Sequence, residues 1–324
     1  MKGVNASTHV LQSLEGTVCK NLPTSAVESV KGVAVESKNN VHTFIRGVDP
    51  LLIFDEEGNF ITCWGRGLFN WPHGLYVAPD DTIFCTDGDH TVKRFTQDGR
   101  LLMVLGKKSC PSDSGCVNKD YRTIKRGAEP FNLPTDVFVD KDGTIYVSDG
   151  YGNARVHKFS KEGELIISWG EPGRGPGQFN LPHGIYVHEG IVYVADRENC
   201  RIQLFDTEGK YLGEWYANRP TDVYVHDKHV YVTELGYNVG HSLISTTPRD
   251  GVKAARLTVF DLNGEIVARW GSDEGCRPGY FRAPHALCLD HKGNIYVGEV
   301  VISSAEFKNV PNECHAIQKF EKVK

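Results

Sequence analysis

A pattern of four short strands recurs along the chain. Residues 131–170 read FNLPTDVFVDKDGTIYVSDGYGNARVHKFSKEGELIISWG, and residues 179–216 read FNLPHGIYVHEGIVYVADRENCRIQLFDTEGKYLGEWY. In both copies an alternating run follows a proline, two more strand-like runs come next, and a glycine turn leads into a last strand with a tryptophan. The same plan recurs around 32–65, 69–106 and 218–271 and from 281 to the end, which gives six copies.

Four-stranded sheets repeated six times predict an all-β chain, a six-bladed β-propeller with NHL-like repeats. The last copy has three clear strands, in HALCLD, NIYVGEV and AIQKF. We therefore expect residues 1–29 to close the last blade and residues 30–324 to form one propeller domain. Insertions at 107–129, 236–255 and 301–315 interrupt the pattern. Long loops of this kind are typical of functional rims or lids, and family-specific decoration is the alternative.

One histidine recurs at the same place in three copies, as Pro-His in FNWPHGLYV, FNLPHGIYV and FRAPHALCL. Aligned at this position, the six copies carry Lys31, His73, Thr135, His183, Thr221 and His285. Histidine thus occupies every second blade, on the strand nearest the axis, so three imidazoles should converge there. This arrangement predicts a three-histidine metal site with an open position, as in zinc enzymes. The alternative is a turn preference, with each histidine packed separately.

Composition excludes several partner classes. The net charge is −5, and no Lys/Arg-rich run stands out, so no nucleic-acid partner is expected. No apolar run is long enough for a membrane span, and the first residues do not read as a signal peptide. The nine cysteines are scattered, and we interpret them as mostly reduced, which favours a cytoplasmic protein. Cys110 and Cys116 share one loop, where a disulfide or a metal clip is conceivable.

From Val30 to the C terminus the chain resembles the peptidyl-α-hydroxyglycine α-amidating lyases, which are NHL-repeat propellers. The stretches that carry the resemblance are GVAVESKNNVHTFIRG, PHGLYV, PTDVFVDKDGTIYVSDGYGNARV, VADRENCRIQ and APHALCLD. NHL proteins in general share the blade plan. They do not share the alternating histidines together with SDGYGN and ADREN, so the match is more specific than the fold.

The resemblance implies functions for particular residues. Zn²⁺ would be bound by His73, His183 and His285, and the catalytic residues would be Tyr151, Arg197 and Arg46. The resemblance also implies a structural Ca²⁺, held partly by the backbone carbonyls of Val33 and Leu75. At the position of the family's carboxylate ligand this chain has Ala286, so we expect calcium to bind weakly or not at all. Two further departures from the family are Ala283, where the family has methionine, and Gly152, where it has cysteine.

The implied reaction splits an N-substituted α-hydroxyglycine, a small-molecule or peptide-derived substrate, into an amide and glyoxylate. Two other classes of function stay open at this point. One is another metal-dependent propeller enzyme, a lactonase or a lyase acting on a small hydroxy acid or hemiaminal. The other is a non-catalytic NHL-repeat interaction module.

Overall fold

In a computed structural model, the chain forms six four-stranded antiparallel sheets. The structure describes residues 11–13, 29–237, 248–271, 275, 277–300 and 316–322. The prediction of an all-β six-bladed propeller is confirmed. The helical segments among these residues are two 3-10 turns, Tyr121–Thr123 and Arg197–Asn199. No helix in the described part of the chain has the length and apolar character that a membrane crossing requires.

The first three blades follow the chain in order, each from its innermost to its outermost strand. Strand numbering starts at β1 (Leu11–Ser13), which belongs to the last blade. Blade 1 contains β2 (Val30–Val35), β3 (Val41–Ile45), β4 (Leu51–Phe54) and β5 (Phe60–Trp64). Blade 2 contains β6 (Pro72–Val77), β7 (Ile83–Asp87), β8 (Thr91–Phe95) and β9 (Leu101–Gly106). Blade 3 contains β10 (Pro134–Val139), β11 (Ile145–Asp149), β12 (Arg155–Phe159) and β13 (Leu165–Trp169).

The last three blades continue this order after a short parallel pair, β14 (Glu171–Pro172) and β15 (Gln178–Phe179). Blade 4 contains β16 (Pro182–His188), β17 (Ile191–Asp196), β18 (Arg201–Asp206) and β19 (Tyr211–Tyr216). Blade 5 contains β20 (Pro220–His226), β21 (His229–Glu234), β22 (Arg256–Asp261) and β23 (Ile266–Trp270). Blade 6 contains β24 (Pro284–Leu289), β25 (Ile295–Glu299) and β26 (Ile317–Lys322). Its outer strand is β1, which pairs antiparallel with β26.

The innermost strands form a closed ring around the axis. Each one contacts the innermost strands of the two neighbouring blades, and β24 of blade 6 returns to β2 of blade 1. In the described part of the chain, one large buried hydrophobic cluster lies between each pair of neighbouring blades, and Phe44 and Phe95 belong to the one between blades 1 and 2. The core is therefore a ring of interfaces that holds the inner strands at fixed angles to one another.

Every innermost strand has an irregular register near its start. The pairing shifts between Pro72 and Leu75 in β6, between Pro182 and Ile185 in β16, and between Pro284 and Ala286 in β24. A bulge leaves a residue out of the ladder and re-aims its side chain. The residues left out include His73, His183 and His285, so the break in the ladder turns them toward the axis.

Two of the insertions lie largely outside the described residues, namely 238–247 within the second and 301–315, which is the third. The first insertion, 107–129, is described in full and carries the 3-10 turn Tyr121–Thr123. Cys110 and Cys116 within it are both free thiols, so the disulfide left open above is not formed.

Candidate metal centre

The three register histidines meet on the propeller axis. The ligand atoms that His73, His183 and His285 offer all lie within 4.8 Å of one another. The ring centroids are 4.7 to 4.9 Å apart, and the rings meet edge to face at 68° to 79°. All three side chains are buried. Among the described residues this is the one group of three or more His, Cys, Asp or Glu side chains that could hold a metal ion.

Backbone carbonyls of the intervening blades fix the orientation of each imidazole. The pairs are His73 Nδ1 with Thr135 O at 2.6 Å, His183 Nδ1 with Thr221 O at 2.6 Å, and His285 Nδ1 with Lys31 O at 3.0 Å. A carbonyl oxygen only accepts, so Nδ1 carries the proton and Nε2 keeps its lone pair. Burial lowers the pKa of all three histidines well below 6.5, which keeps the rings neutral. Three neutral imidazoles, each with a free Nε2 lone pair in a buried pocket, fit Zn²⁺.

The threonines at the intervening register positions brace the next histidine. Thr135 Oγ1 donates to Pro182 O at 2.9 Å, and Thr221 Oγ1 donates to Pro284 O at 2.9 Å. Each proline directly precedes a histidine of the cluster. The sequence pattern had placed threonine in this register but had given it no function.

Tyr151 lies directly against the histidine cluster. It follows β11, and its phenol oxygen is 3.3 Å from Nε2 of His73 and 3.3 Å from Nε2 of His183. The neighbouring glycine is required, because a Cβ on Gly152 would lie 2.3 Å from Asn132 Oδ1. The family's cysteine would therefore clash at this position.

Arg197 lies on the other side of the Tyr151 phenol. It opens the 3-10 turn after β17, and its Nη1 donates to the Tyr151 oxygen at 3.3 Å. Its Nε donates to Glu198 Oε1 at 2.9 Å. Burial opposes its charge, but Tyr151 and Glu198 outweigh burial and raise the pKa of Arg197. The cation is therefore held at the edge of the centre.

Arg46 is separated from Tyr151 by the ring of Trp71. Its guanidinium stacks on Trp71 at 4.0 Å, and its Nε donates to Pro72 O at 3.3 Å. The Trp71 ring in turn meets the Tyr151 ring at 5.4 Å. Partial burial lowers the pKa of Arg46 to about 10, so it remains a cation at neutral pH. The three residues expected to be catalytic, Tyr151, Arg197 and Arg46, thus lie on one side of the histidine cluster, which we call the mouth of the centre. Trp71 also belongs to the mouth, although the sequence analysis did not single it out.

The first insertion folds onto this mouth. Ser114 Oγ donates to Gly152 O, which braces the Tyr151 loop. Lys119 Nζ lies 5.8 Å from the Trp71 ring. Burial and the charge of Glu198 raise the pKa of Tyr121, and the charge of Arg197 opposes them. Residues 107–129 therefore form part of the wall of the centre.

Two carboxylates face the axis beyond the histidines. Asp136 and Asp222 line a cavity of about 60 Å³ together with Val33 and Leu75, the residues whose carbonyls the resemblance assigns to calcium. Burial raises the pKa of Asp222 to about 7, and burial together with Asp222 raises the pKa of Asp136. Both side chains accept backbone N–H bonds from their own or neighbouring blades. The expectation of weak calcium binding stays a prediction. The sequence analysis did not single out these two acids, which both follow Pro-Thr at the start of an innermost strand.

Fold and site together define an NHL-type propeller with a three-histidine candidate metal centre. The NHL repeat family matches residues 131–159 and 179–205. NHL repeat-containing protein 3 of Mus musculus is 35% identical over 83% of this chain and 76% of that protein. A probable peptidyl-α-hydroxyglycine α-amidating lyase of Caenorhabditis elegans is 30% identical over 77% of this chain and 67% of that protein. The chain belongs to the peptidyl-α-hydroxyglycine α-amidating lyase family of NHL-repeat propellers.

A solved structure of similar shape is virginiamycin B lyase from Staphylococcus aureus. It matches with a TM-score of 0.58 at 14% identity, over 97% of this chain and 99% of that chain. At this identity the likeness shows the fold alone.

Proposed function

We propose that the protein is a zinc-dependent lyase that cleaves the C–N bond of an N-substituted α-hydroxyglycine to give an amide and glyoxylate. The observation that carries the proposal is the position of the Tyr151 oxygen, 3.3 Å from two histidine Nε2 atoms and 3.3 Å from Arg197 Nη1. The phenol that we assign to proton transfer, the histidines that could hold a metal and the guanidinium that we assign to the carboxylate thus lie together. The lyase relative in C. elegans supports the same reaction.

Each group of residues at the site has its own function in the proposed reaction. Arg197 binds the substrate carboxylate, because its planar fork matches two carboxylate oxygens. His73, His183 and His285 would hold Zn²⁺, which would supply Lewis acidity toward the oxygen that loses its proton. Tyr151 takes the proton of the carbinol hydroxyl. As the C=O of glyoxylate forms, the C–N bond breaks, and the amide nitrogen receives the electron pair and the proton that Tyr151 carried.

Arg46 and Trp71 line the outer part of the mouth. The Arg46 cation stacks on the Trp71 indole at 4.0 Å, which fixes a flat surface beside Tyr151. We expect this surface to contact the part of the substrate that leaves as the amide. Substrate and product are small molecules or peptide-derived, and zinc is the one cofactor that the mechanism uses.

The direct test is product analysis with α-hydroxyhippurate, a simple N-substituted α-hydroxyglycine. The protein should release benzamide and glyoxylate in equal amounts, above the uncatalysed rate. A parallel reaction with a sugar lactone separates this function from a lactonase. Lactone hydrolysis without glyoxylate release would replace the proposal, and a protein inert toward both would favour the non-catalytic interaction module.

A further inference from the structure

Blade 5 carries an arginine where four of the other blades carry an apolar residue. The residue before the first-strand proline is Trp71 in blade 2, Leu133 in blade 3 and Leu181 in blade 4, and Ala283 in blade 6. In blade 5 it is Arg219, which is 2% exposed and has a left-handed φ of 43°. A buried charge is costly unless it is paired. An arginine at this position therefore needs a local reason.

Glu198 forms an ion pair with Arg219 and is itself 1% exposed. Arg219 Nη2 donates to Glu198 Oε1 at 2.9 Å, and Nη1 donates to Gly236 O at 2.8 Å. The same Oε1 atom accepts the Nε–H of Arg197 at 2.9 Å. One carboxylate oxygen thus joins two arginines from neighbouring blades.

The chain of contacts continues into the metal centre. Arg197 is bound to Glu198 through Nε and to the Tyr151 oxygen through Nη1, at 2.9 Å and 3.3 Å. A guanidinium held at two of its nitrogens cannot turn about its own axis. Arg219 does not contact Tyr151 in the described contacts, so its influence on the centre passes through Glu198.

The charges of Arg197, Glu198 and Arg219 affect how the site can bind a substrate carboxylate. Burial favours the neutral form of Glu198, but Arg197 and Arg219 prevail and lower its pKa, so it is a carboxylate. A pair of Arg197 and Glu198 alone would have no net charge. With Arg219 included, two cations and one anion leave a single positive charge, which matches one substrate carboxylate.

We propose that Glu198 and Arg219 are positioning residues, which hold the Arg197 guanidinium in place and restore its positive charge for the substrate carboxylate. The inference rests on the proposed function of Arg197. Glu198 supplies the geometry, and Arg219 supplies the charge that Glu198 would otherwise cancel. Neither residue reaches the reacting atoms.

The test compares Arg219→Met, Arg219→Lys and Glu198→Gln with the wild-type protein. Arg201→Met is the matched control, because Arg201 is also buried and paired, with Nε 2.8 Å from Asp196 Oδ2, in blade 4. Measured for each are KM and kcat with α-hydroxyhippurate, the inhibition constant of glyoxylate, and zinc content. A fourth measurement is the hydrogen exchange of the Arg197 Nε–H by ¹⁵N NMR.

Arg219→Met should raise KM and the glyoxylate inhibition constant by about tenfold or more, with zinc content unchanged. Arg219→Lys keeps the charge and should recover most of this loss. Glu198→Gln should speed the exchange of the Arg197 Nε–H and raise KM. Arg201→Met should match the wild type in all four measurements.

Wild-type KM and glyoxylate inhibition in both Arg219→Met and Glu198→Gln would overturn the proposal. If Arg219→Met does not fold, Arg219→Lys and Glu198→Gln carry the test. A wild-type protein that neither cleaves α-hydroxyhippurate nor binds glyoxylate would refute the proposed function. The exchange rate of the Arg197 Nε–H would then still test whether Glu198 holds the guanidinium in place. An unchanged rate in Glu198→Gln would contradict this positioning role, whatever the substrate is.

Discussion

The phenol oxygen of Tyr151 lies 3.3 Å from Arg197 Nη1. The tyrosine follows the second strand of blade 3, and the arginine follows the second strand of blade 4. Equivalent turns of neighbouring blades therefore place the phenol beside the guanidinium, and the same phenol oxygen contacts His73 and His183. The predictions that follow depend on this contact.

Tyr151→Phe should lower glyoxylate release by roughly a hundredfold or more and leave zinc content intact, because the phenol moves a proton and does not hold the ion. Steady-state kinetics and metal analysis on the same preparation provide the check. Tyr211→Phe is the control, since that phenol donates to Glu214 Oε2 on an outer strand. A near-normal rate in Tyr151→Phe would remove the tyrosine from the mechanism.

Arg197→Lys should raise KM more than it lowers kcat, by about tenfold or more, because an ammonium cannot copy the bidentate fork. Arg46→Lys should have a smaller effect, since Arg46 contacts Trp71 and Pro72 at the outer mouth. The two KM values are measured with the same substrate. A larger effect at Arg46 would reverse the assigned order of the two cations.

Replacement of His73, His183 or His285 by Ala should each abolish stoichiometric zinc, since two ligands hold the ion poorly. His188→Ala is a matched control, because His188 lies at the far end of β16, the strand in which His183 is the second residue. Metal content by elemental analysis of dialysed protein reports the result. Full zinc occupancy in any two of the three variants would contradict the site.

The free energy of unfolding should fall as pH rises from 3.8 to about 7. The folded-state pKa of Asp222, about 7, lies above its ordinary value of 3.8, so between these values the folded state binds more protons than the unfolded state. The free energy of unfolding contributed by this group is therefore full below pH 3.8 and lost by about pH 7. Urea unfolding at several pH values should show a flatter pH dependence in Asp222→Asn. Asp261→Asn is the control, and its free energy of unfolding should depend on pH as the wild type's does. If Asp222→Asn also kept the wild-type pH dependence, the assignment to Asp222 would be contradicted.

Added calcium should stabilise the protein little. Ala286 supplies no anionic oxygen, and the carboxylates of Asp136 and Asp222 already accept backbone N–H bonds. The measurement is the thermal midpoint with and without added CaCl₂. Ala286→Asp should gain a calcium-dependent rise that the wild type lacks. A strong rise in the wild type would show that Asp136 and Asp222 bind the ion.

The repeat and the histidine register could be predicted because both depend on local patterns that recur in every blade. The functions of Thr135 and Thr221 could not, since each acts by a contact to a neighbouring blade that has no signature along the chain. Arg219 did leave a signal, as a charged residue at an apolar register position. Its partner Glu198 is one residue from Arg197, but only the fold brings Arg219 to it.

The most direct test of the account is to add Zn²⁺ back to chelated protein and follow glyoxylate release from α-hydroxyhippurate. Turnover should be absent without metal, rise in proportion to added zinc, and level off at one ion per chain, whereas His183→Ala should not recover. Undiminished glyoxylate release from protein shown to contain no metal would contradict the zinc-dependent mechanism.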